Sequence, residues 1–246
     1  MGLTSAIYPD CRPDPVAITK KVIEMNLKGI EFIDLKLTDY KKAFDFQKKI
    51  VSEKIDKTRD KDIILLLEHP AVFTLGKRGG RENLVKSEEF LKSKNIPIVQ
   101  TERGGNITFH GPGQIVVYPI IDLNRAKIGV ADFVYFLENI MIATALDFNV
   151  KAVRDKRNHG IWVKENKIGS VGLSIKRGIS FHGLALNVNL DLEPFSWINP
   201  CGMPGIFMTS LAKEIKKNSA ETIVQISEVK KKMIAYFKQL ENMKTI

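Results

Sequence analysis

An α/β fold built on a mixed sheet is what this sequence predicts, and three stretches carry the prediction. Asp62–Glu68 reads DIILLLE, a continuous apolar run of strand length, as expected where both faces of a sheet are covered. Ala131 to Phe148 places Phe133, Phe136, Leu137, Ile140, Met141 and Thr144 on one face at helical spacing. Three short strands follow close together, Gly160–Val163, Lys167–Ile175 and Phe181–Val188, with Glu165-Asn166 predicted as a two-residue hairpin turn between the first two.

The other elements follow in chain order. Residues 1–28 carry the turn-rich run Pro9-Asp10-Cys11-Arg12-Pro13-Asp14-Pro15 and then lysines, and read as an extension tied loosely to the main domain. Ile30–Leu35 is the first predicted strand. Asp39 caps a predicted helix from Tyr40, with Tyr40, Ala43, Phe44, Gln47, Ile50 and Val51 on one face. His69-Pro70 turns the chain into the strand Ala71–Leu75, and His69 there reads as structural. The basic loop Gly76–Arg81 is either a contact for an anionic partner or a solvated turn. Glu88–Lys94 reads as a helix, and Ile96–Val99 and Ile115–Ile121 as strands. Near the end Asn218 is a candidate N-cap with Glu221 three residues on, ahead of an apolar stripe Ile223, Ile226, Val229, Met233, Phe237 and Leu240. No repeat or low-complexity linker divides residues 29–217, so one catalytic-sized domain is expected there, with 218–246 a helix packed on it.

Composition narrows the function classes. With 44% hydrophobic and 27% charged residues the chain has an ordinary globular balance, and no apolar run approaches a membrane span of about 18 residues. The two cysteines lie far apart and suggest no disulfide framework, and the N-terminus shows no secretory pattern; a cytoplasmic protein is expected. A net charge of +10 invites an acidic partner. The lysines are scattered in short runs without an RNA-recognition, zinc or helix-turn-helix signature, which argues against nucleic acid. Four histidines without H-x-x-x-H spacing and cysteines without C-x-x-C spacing predict no metal site.

The densest stretch chemically is Arg103–Gln114, RGGNITFHGPGQ, which runs straight into the apolar strand at Ile115. Glycines let backbone approach a ligand closely, so this loop is expected to present N–H groups to something bound, with Arg103 as a cationic fork. A tight strand connection is the plain alternative. Cys201 sits in Asn199-Pro200-Cys201-Gly202-Met203-Pro204-Gly205, a turn where a thiol is accessible and nearby amides are expected to be free. The thiolate is the nucleophile, so a cation or base must stand close by. Lys167 is one candidate; His182 and His110 are rivals, and a Cys/His pair stays open on spacing alone.

These segments resemble a known family. RGGNITFHGPGQ with Tyr118 after it, KIGSVG (Lys167–Gly172), HGLALN (His182–Asn187) and PCG (Pro200–Gly202) are similar to the lipoate-biosynthesis octanoyltransferases. Glu68-His69-Pro70 through Leu75-Gly76-Lys77 resembles an earlier segment of the same family, and the likeness runs from about Ile30 to Leu211 in the family's order. The resemblance implies the fold shared with lipoate and biotin protein ligases. It implies an acyl-thioester on Cys201, Lys167 as the lysine that activates it, and no cofactor. It places the acyl pocket at Arg103, Gly104, Gly105, Asn106, Ile107, Thr108, Phe109 and His110, with Ser170, Val171, Gly172, Gly183, Leu184 and Ala185. The implied partners are octanoyl-acyl carrier protein as donor, and as acceptors the lipoyl domains of 2-oxoacid dehydrogenase complexes and the glycine cleavage H protein; the implied state is a monomer. Both kinds of partner are typically acidic, which would give the basic surface a use. An ATP-dependent lipoate or biotin ligase is the rival enzyme, and a binding module indifferent to Cys201 is the non-catalytic alternative.

Overall fold

The computed structural model describes residues 29–216 and 224–242, with backbone only for 240–242. The expected extension 1–28 with Cys11, the Asn218 cap with Glu221 and Ile223, and the Leu240 side chain all lie outside the described residues.

Strands β1 (Ile30–Leu37), β2 (Asp62–Glu68), β6 (Gln114–Ile120), β10 (Ile179–Asn187), β9 (Asn166–Lys176), β8 (Gly160–Val163) and β7 (Val153–Arg154) form one sheet in that spatial order, and β11 (Phe207–Met208) adds to β9. The β1–β2 and β11–β9 pairs are parallel and the rest antiparallel, so the sheet is mixed as predicted. A second sheet orders β4 (Ile98–Gln100), β3 (Val72–Leu75) and β5 (Thr108–His110). The helices are α1 (Tyr40–Ile55), α2 (Glu88–Ser93), α3 (Leu123–Ala126), α4 (Val130–Asp147), α5 (Leu211–Lys216) and α6 (Ile226–Asn242).

The apolar run of β2 is explained by cover on both faces. Because side chains alternate along a strand, Ile63, Leu65 and Leu67 pack under α1 beside Ala43, Ile50 and Val51, whereas Ile64 and Leu66 face the core of α4 and α6. Phe136 of α4 meets Phe237 of α6 edge to face at 5.9 Å. Asp39 caps α1 by accepting from the Lys42 N–H at 3.1 Å. A third cluster, with Phe73, Phe109, Phe195 and Trp197, fills the space behind the second sheet.

Two boundaries differ from the sequence reading for identifiable reasons. The strand expected at Ile96–Val99 begins at Ile98, because Pro97 has no N–H for the ladder; its carbonyl accepts from Phe73 N instead. The β8–β9 turn is Lys164-Glu165 rather than Glu165-Asn166. Asn166 pairs with Val163 on one side and Phe207 on the other, leaving Lys164 to take the left-handed conformation at φ 54°. The β9–β10 turn uses two residues of positive φ, Arg177 and Gly178, as a tight hairpin between right-twisted strands requires.

Candidate active site

The Gly-rich stretch is a wedge between two backbones. Lys77 and Arg78 donate their N–H groups to the carbonyls of Arg103 and Gly105, and Gly104 N donates to Leu173 O at 2.8 Å on the open edge of β9. The approach is too close for side chains: a Cβ at Gly76 would come 2.4 Å from Gly105 O. The basic loop Gly76–Arg81 therefore sits against the Gly-rich loop, with Lys77, Arg78 and Arg81 exposed along its rim.

Cys201 is brought to this wedge by one 3-10 turn, Pro200–Gly202, in which it holds φ 60° and ψ 14°. Its N–H donates to Ile107 O at 2.9 Å, and Gly202 lies so near Asn106 that a Cβ there would collide with the amide. A non-glycine residue held left-handed stores strain, and the contacts on both sides fix the thiol in place. Several of the amides expected to be free beside Cys201 are engaged. The N–H groups of Gly104, Ile107, Cys201 and Gly202 already donate, to Leu173 O, Asn106 Oδ1, Ile107 O and Asn199 O.

Lys167 is fully buried on β9. Its Nζ donates to Asn158 Oδ1 at 2.7 Å, His159 O at 2.8 Å and Cys201 Sγ at 3.3 Å. An ammonium has three N–H bonds, and here all three are used, with no carboxylate among the acceptors. Burial pulls the Lys167 pKa below the ordinary lysine value, while the nearby Cys201 and Glu138 oppose that shift and Arg103 adds to it.

Arg103 lines the cleft and also binds the scaffold. Its Nε and Nη2 donate to Thr74, the latter to the carbonyl at 2.6 Å, and Nη1 donates to Gly104 O at 3.1 Å. The guanidinium thus ties the Gly-rich loop to β3, and among the described residues no carboxylate pairs with it. His110 lies between Gln114 Oε1 at 2.6 Å and Thr74 Oγ1 at 3.3 Å. Burial and neighbouring positive groups hold its pKa well below the usual histidine value, so it stays neutral. His69 is structural, as read: its ring nitrogens meet Thr38 O at 2.6 Å and Tyr118 Oη at 2.8 Å. Gln114 Nε2 and Thr209 O converge on the Asn187 side chain at 2.9 Å each, and Thr209 N donates to Lys167 O. The ends of three of the sequence motifs are joined in this way through Thr209.

One open-mouthed cleft of about 590 Å³, including its mouth, lies over these residues. Arg103 to Thr108, His110, Ser170–Gly172, Gly183–Ala185 and Cys201 all line it. Phe109 does not: alternation along β5 turns its ring into the cluster behind the second sheet, against Phe73 and Phe195. Tyr40, Val116, Asn158 and His182 also line the cleft, and the sequence reading did not assign them to it. Asn158 belongs to a turn without any motif, so only the Lys167 contact reveals it. Tyr40 shows in sequence only as an apolar helix position.

Residues 39–238 match the lipoyl protein ligase A/B catalytic domain. The octanoyltransferase of Desulfotalea psychrophila is 48% identical over 205 residues, 82% of this chain and 90% of that protein. The chain belongs to the lipoyl protein ligase A/B catalytic domain family. It is an acyltransferase of this family. Solved structures agree on the fold. A lipoate-protein ligase A bound with ATP superposes with a TM-score of 0.65 at 15% identity, covering 88% of this chain and 86% of that one. A biotin protein ligase from Leishmania major gives 0.50 at 8% identity, covering 87% and 75%. The fold is thus the α/β architecture common to lipoate and biotin ligases, as expected. Among the described residues no helix is long and apolar enough to cross a membrane.

Proposed function

We propose that the chain moves an octanoyl group from octanoyl-acyl carrier protein to a lysine of a lipoyl-accepting domain through a thioester on Cys201. The observation that carries this reading is the 3.3 Å contact between Lys167 Nζ and Cys201 Sγ at a cleft walled by small and apolar residues. The family and the octanoyltransferase relative support the acyl group transferred.

The chemistry balances with these two residues alone. Lys167 as ammonium and Cys201 as thiolate form the resting pair. The thiolate attacks the donor thioester carbonyl, the carrier thiol leaves, and it takes its proton from Lys167. The neutral Lys167 that remains is favoured by burial and suited to the second half. An acceptor amine attacks the Cys201 thioester and gives its proton to Lys167, and Cys201 departs as thiolate. Amide formation from a thioester is downhill and drives the cycle. Residues 103–108, 170–172 and 183–185 hold the acyl chain, with Phe109 acting from behind the wall. Lys77, Arg78 and Arg81 at the rim suit an acidic carrier or a lipoyl domain of a 2-oxoacid dehydrogenase complex or of the glycine cleavage H protein. Residues 29–217 with the last helix act as one catalytic unit, as a monomer in the cytoplasm, without a cofactor.

Incubation with octanoyl-acyl carrier protein and no ATP, followed by intact mass, tests this. One octanoyl adduct that hydroxylamine removes, and that Cys201→Ala lacks, is the expected result. ATP-dependent acylation of a lipoyl domain without any adduct would replace the transferase by a ligase.

A further inference from the structure

His182 lies on β10 opposite Leu173, six residues along β9 from Lys167, and so belongs to a part of the cleft away from the thiol. Both His182 and Cys201 line the same cleft. The wall they share includes the small or apolar Gly172, Gly183, Ala185 and Val116, along with Arg103 and Tyr118.

His182 is unusual in three respects. It holds φ 56° inside a strand, a conformation that an L residue adopts only under constraint. Its backbone N–H leaves the sheet ladder and donates to Gln47 Oε1 at 2.8 Å. Its ring is 1% exposed and stacked on Phe44 at 5.1 Å, yet neither Nδ1 nor Nε2 has a hydrogen-bond partner in the protein. Gln47 Nε2 beside it is likewise unpartnered, and Tyr40 Oη has no partner nearer than the Thr101 side chain. Buried polar atoms are satisfied as a rule, and of these side chains His182 and Tyr40 line the cleft and look to its contents for partners. Burial holds the His182 pKa down at about 3, so the ring is neutral and offers one donor and one acceptor.

We propose that His182, with Tyr40, forms a polar floor that sets the length of acyl chain the cleft accepts and admits beyond the apolar wall only water or a hydrogen-bonding chain end. The inference rests on the acyl-transfer reading above. A methyl terminus pressed onto the floor strips the imidazole of its partners, whereas a terminal hydroxyl replaces them. The strained backbone at His182 then has a purpose, since it turns the ring out of the ladder and against the end of the chain.

The test measures Cys201 acylation rates by intact mass with octanoyl, dodecanoyl and 8-hydroxyoctanoyl thioesters of acyl carrier protein. His182→Phe, which keeps a ring on Phe44, is expected to raise the dodecanoyl-to-octanoyl rate ratio about tenfold and to lower the hydroxyoctanoyl rate by a similar factor. Tyr40→Phe, which removes one oxygen, is expected to shift both about threefold in the same directions. It decides the matter alone if His182→Phe does not fold. Octanoyl adducts with unchanged ratios in a folded variant overturn the floor and leave the transferase standing. No wild-type adduct with any chain overturns the transferase and the floor together.

Discussion

The two ends of the cleft treat buried polar groups in opposite ways. At the thiol end Lys167 uses each of its three N–H bonds, and Cys201 is fixed through its own amide. At the far end His182 uses neither ring nitrogen. A saturated network holds a geometry before substrate arrives, as a reacting pair requires. An unsaturated one gains its partners only from what enters, as selection requires. Arg103 is a buried cation that lines the cleft and gives most of its N–H groups to neutral acceptors of the scaffold.

The sharpest break of this contrast is Cys201→Ala. Acyl adduct and transfer are expected to vanish by mass and acceptor gel shift, while the urea transition stays cooperative, since the substitution leaves the backbone contacts in place. Lys167→Met comes next. It is expected to slow acylation by about 10²- to 10⁴-fold in single-turnover measurements, the range for a lost acid-base group. Lys167→Arg is not expected to restore it, because a planar fork cannot reproduce three converging bonds. Recovery with arginine would show that charge alone suffices.

Arg103→Met tests the scaffold between the ends. It leaves the Thr74 and Gly104 carbonyls without their donor, and a loss of about 2–4 kcal/mol in chemical denaturation is expected. A change below about 1 kcal/mol would show that the loop is held by the backbone bonds to Lys77 and Arg78 instead. Smaller still is a pH effect at the far end. Burial lowers His69 to about 4 and His182 to about 3, so the unfolded chain binds the extra protons. Their contribution to stability is complete above pH of about 6.5 and lost as pH falls toward these values. His182→Asn, which tolerates positive φ, is expected to make the fall in stability between pH 6 and 4 shallower by up to one proton in slope. An unchanged slope would mean that the ring is solvated. Removing the α1 cap with Asp39→Ala is expected to cost about 1 kcal/mol without altering either end.

Much of the frame was legible because its causes are local. The apolar run 62–68 reported cover on both faces, and Asp39 reported the start of α1, since both depend on neighbours in the chain. Phe109 was misplaced among the lining residues because a motif is read as a block, whereas strand alternation splits it between cleft and core. Asn158 was missed because its role exists only through Lys167, nine residues on.

The sequence by itself determined the mixed α/β class, the longer strands and helices and a cysteine nucleophile with its candidate partners, because periodicity, caps and motif composition are written over a few residues at a time. The tertiary structure alone decided that Lys167, 34 residues before Cys201, is the cation beside it, that Arg103 serves the scaffold, and that His182 lies at the opposite end with its nitrogens bare. Those facts depend on how β9 and β10 register against each other and on which loops they meet, and packing between distant segments sets both.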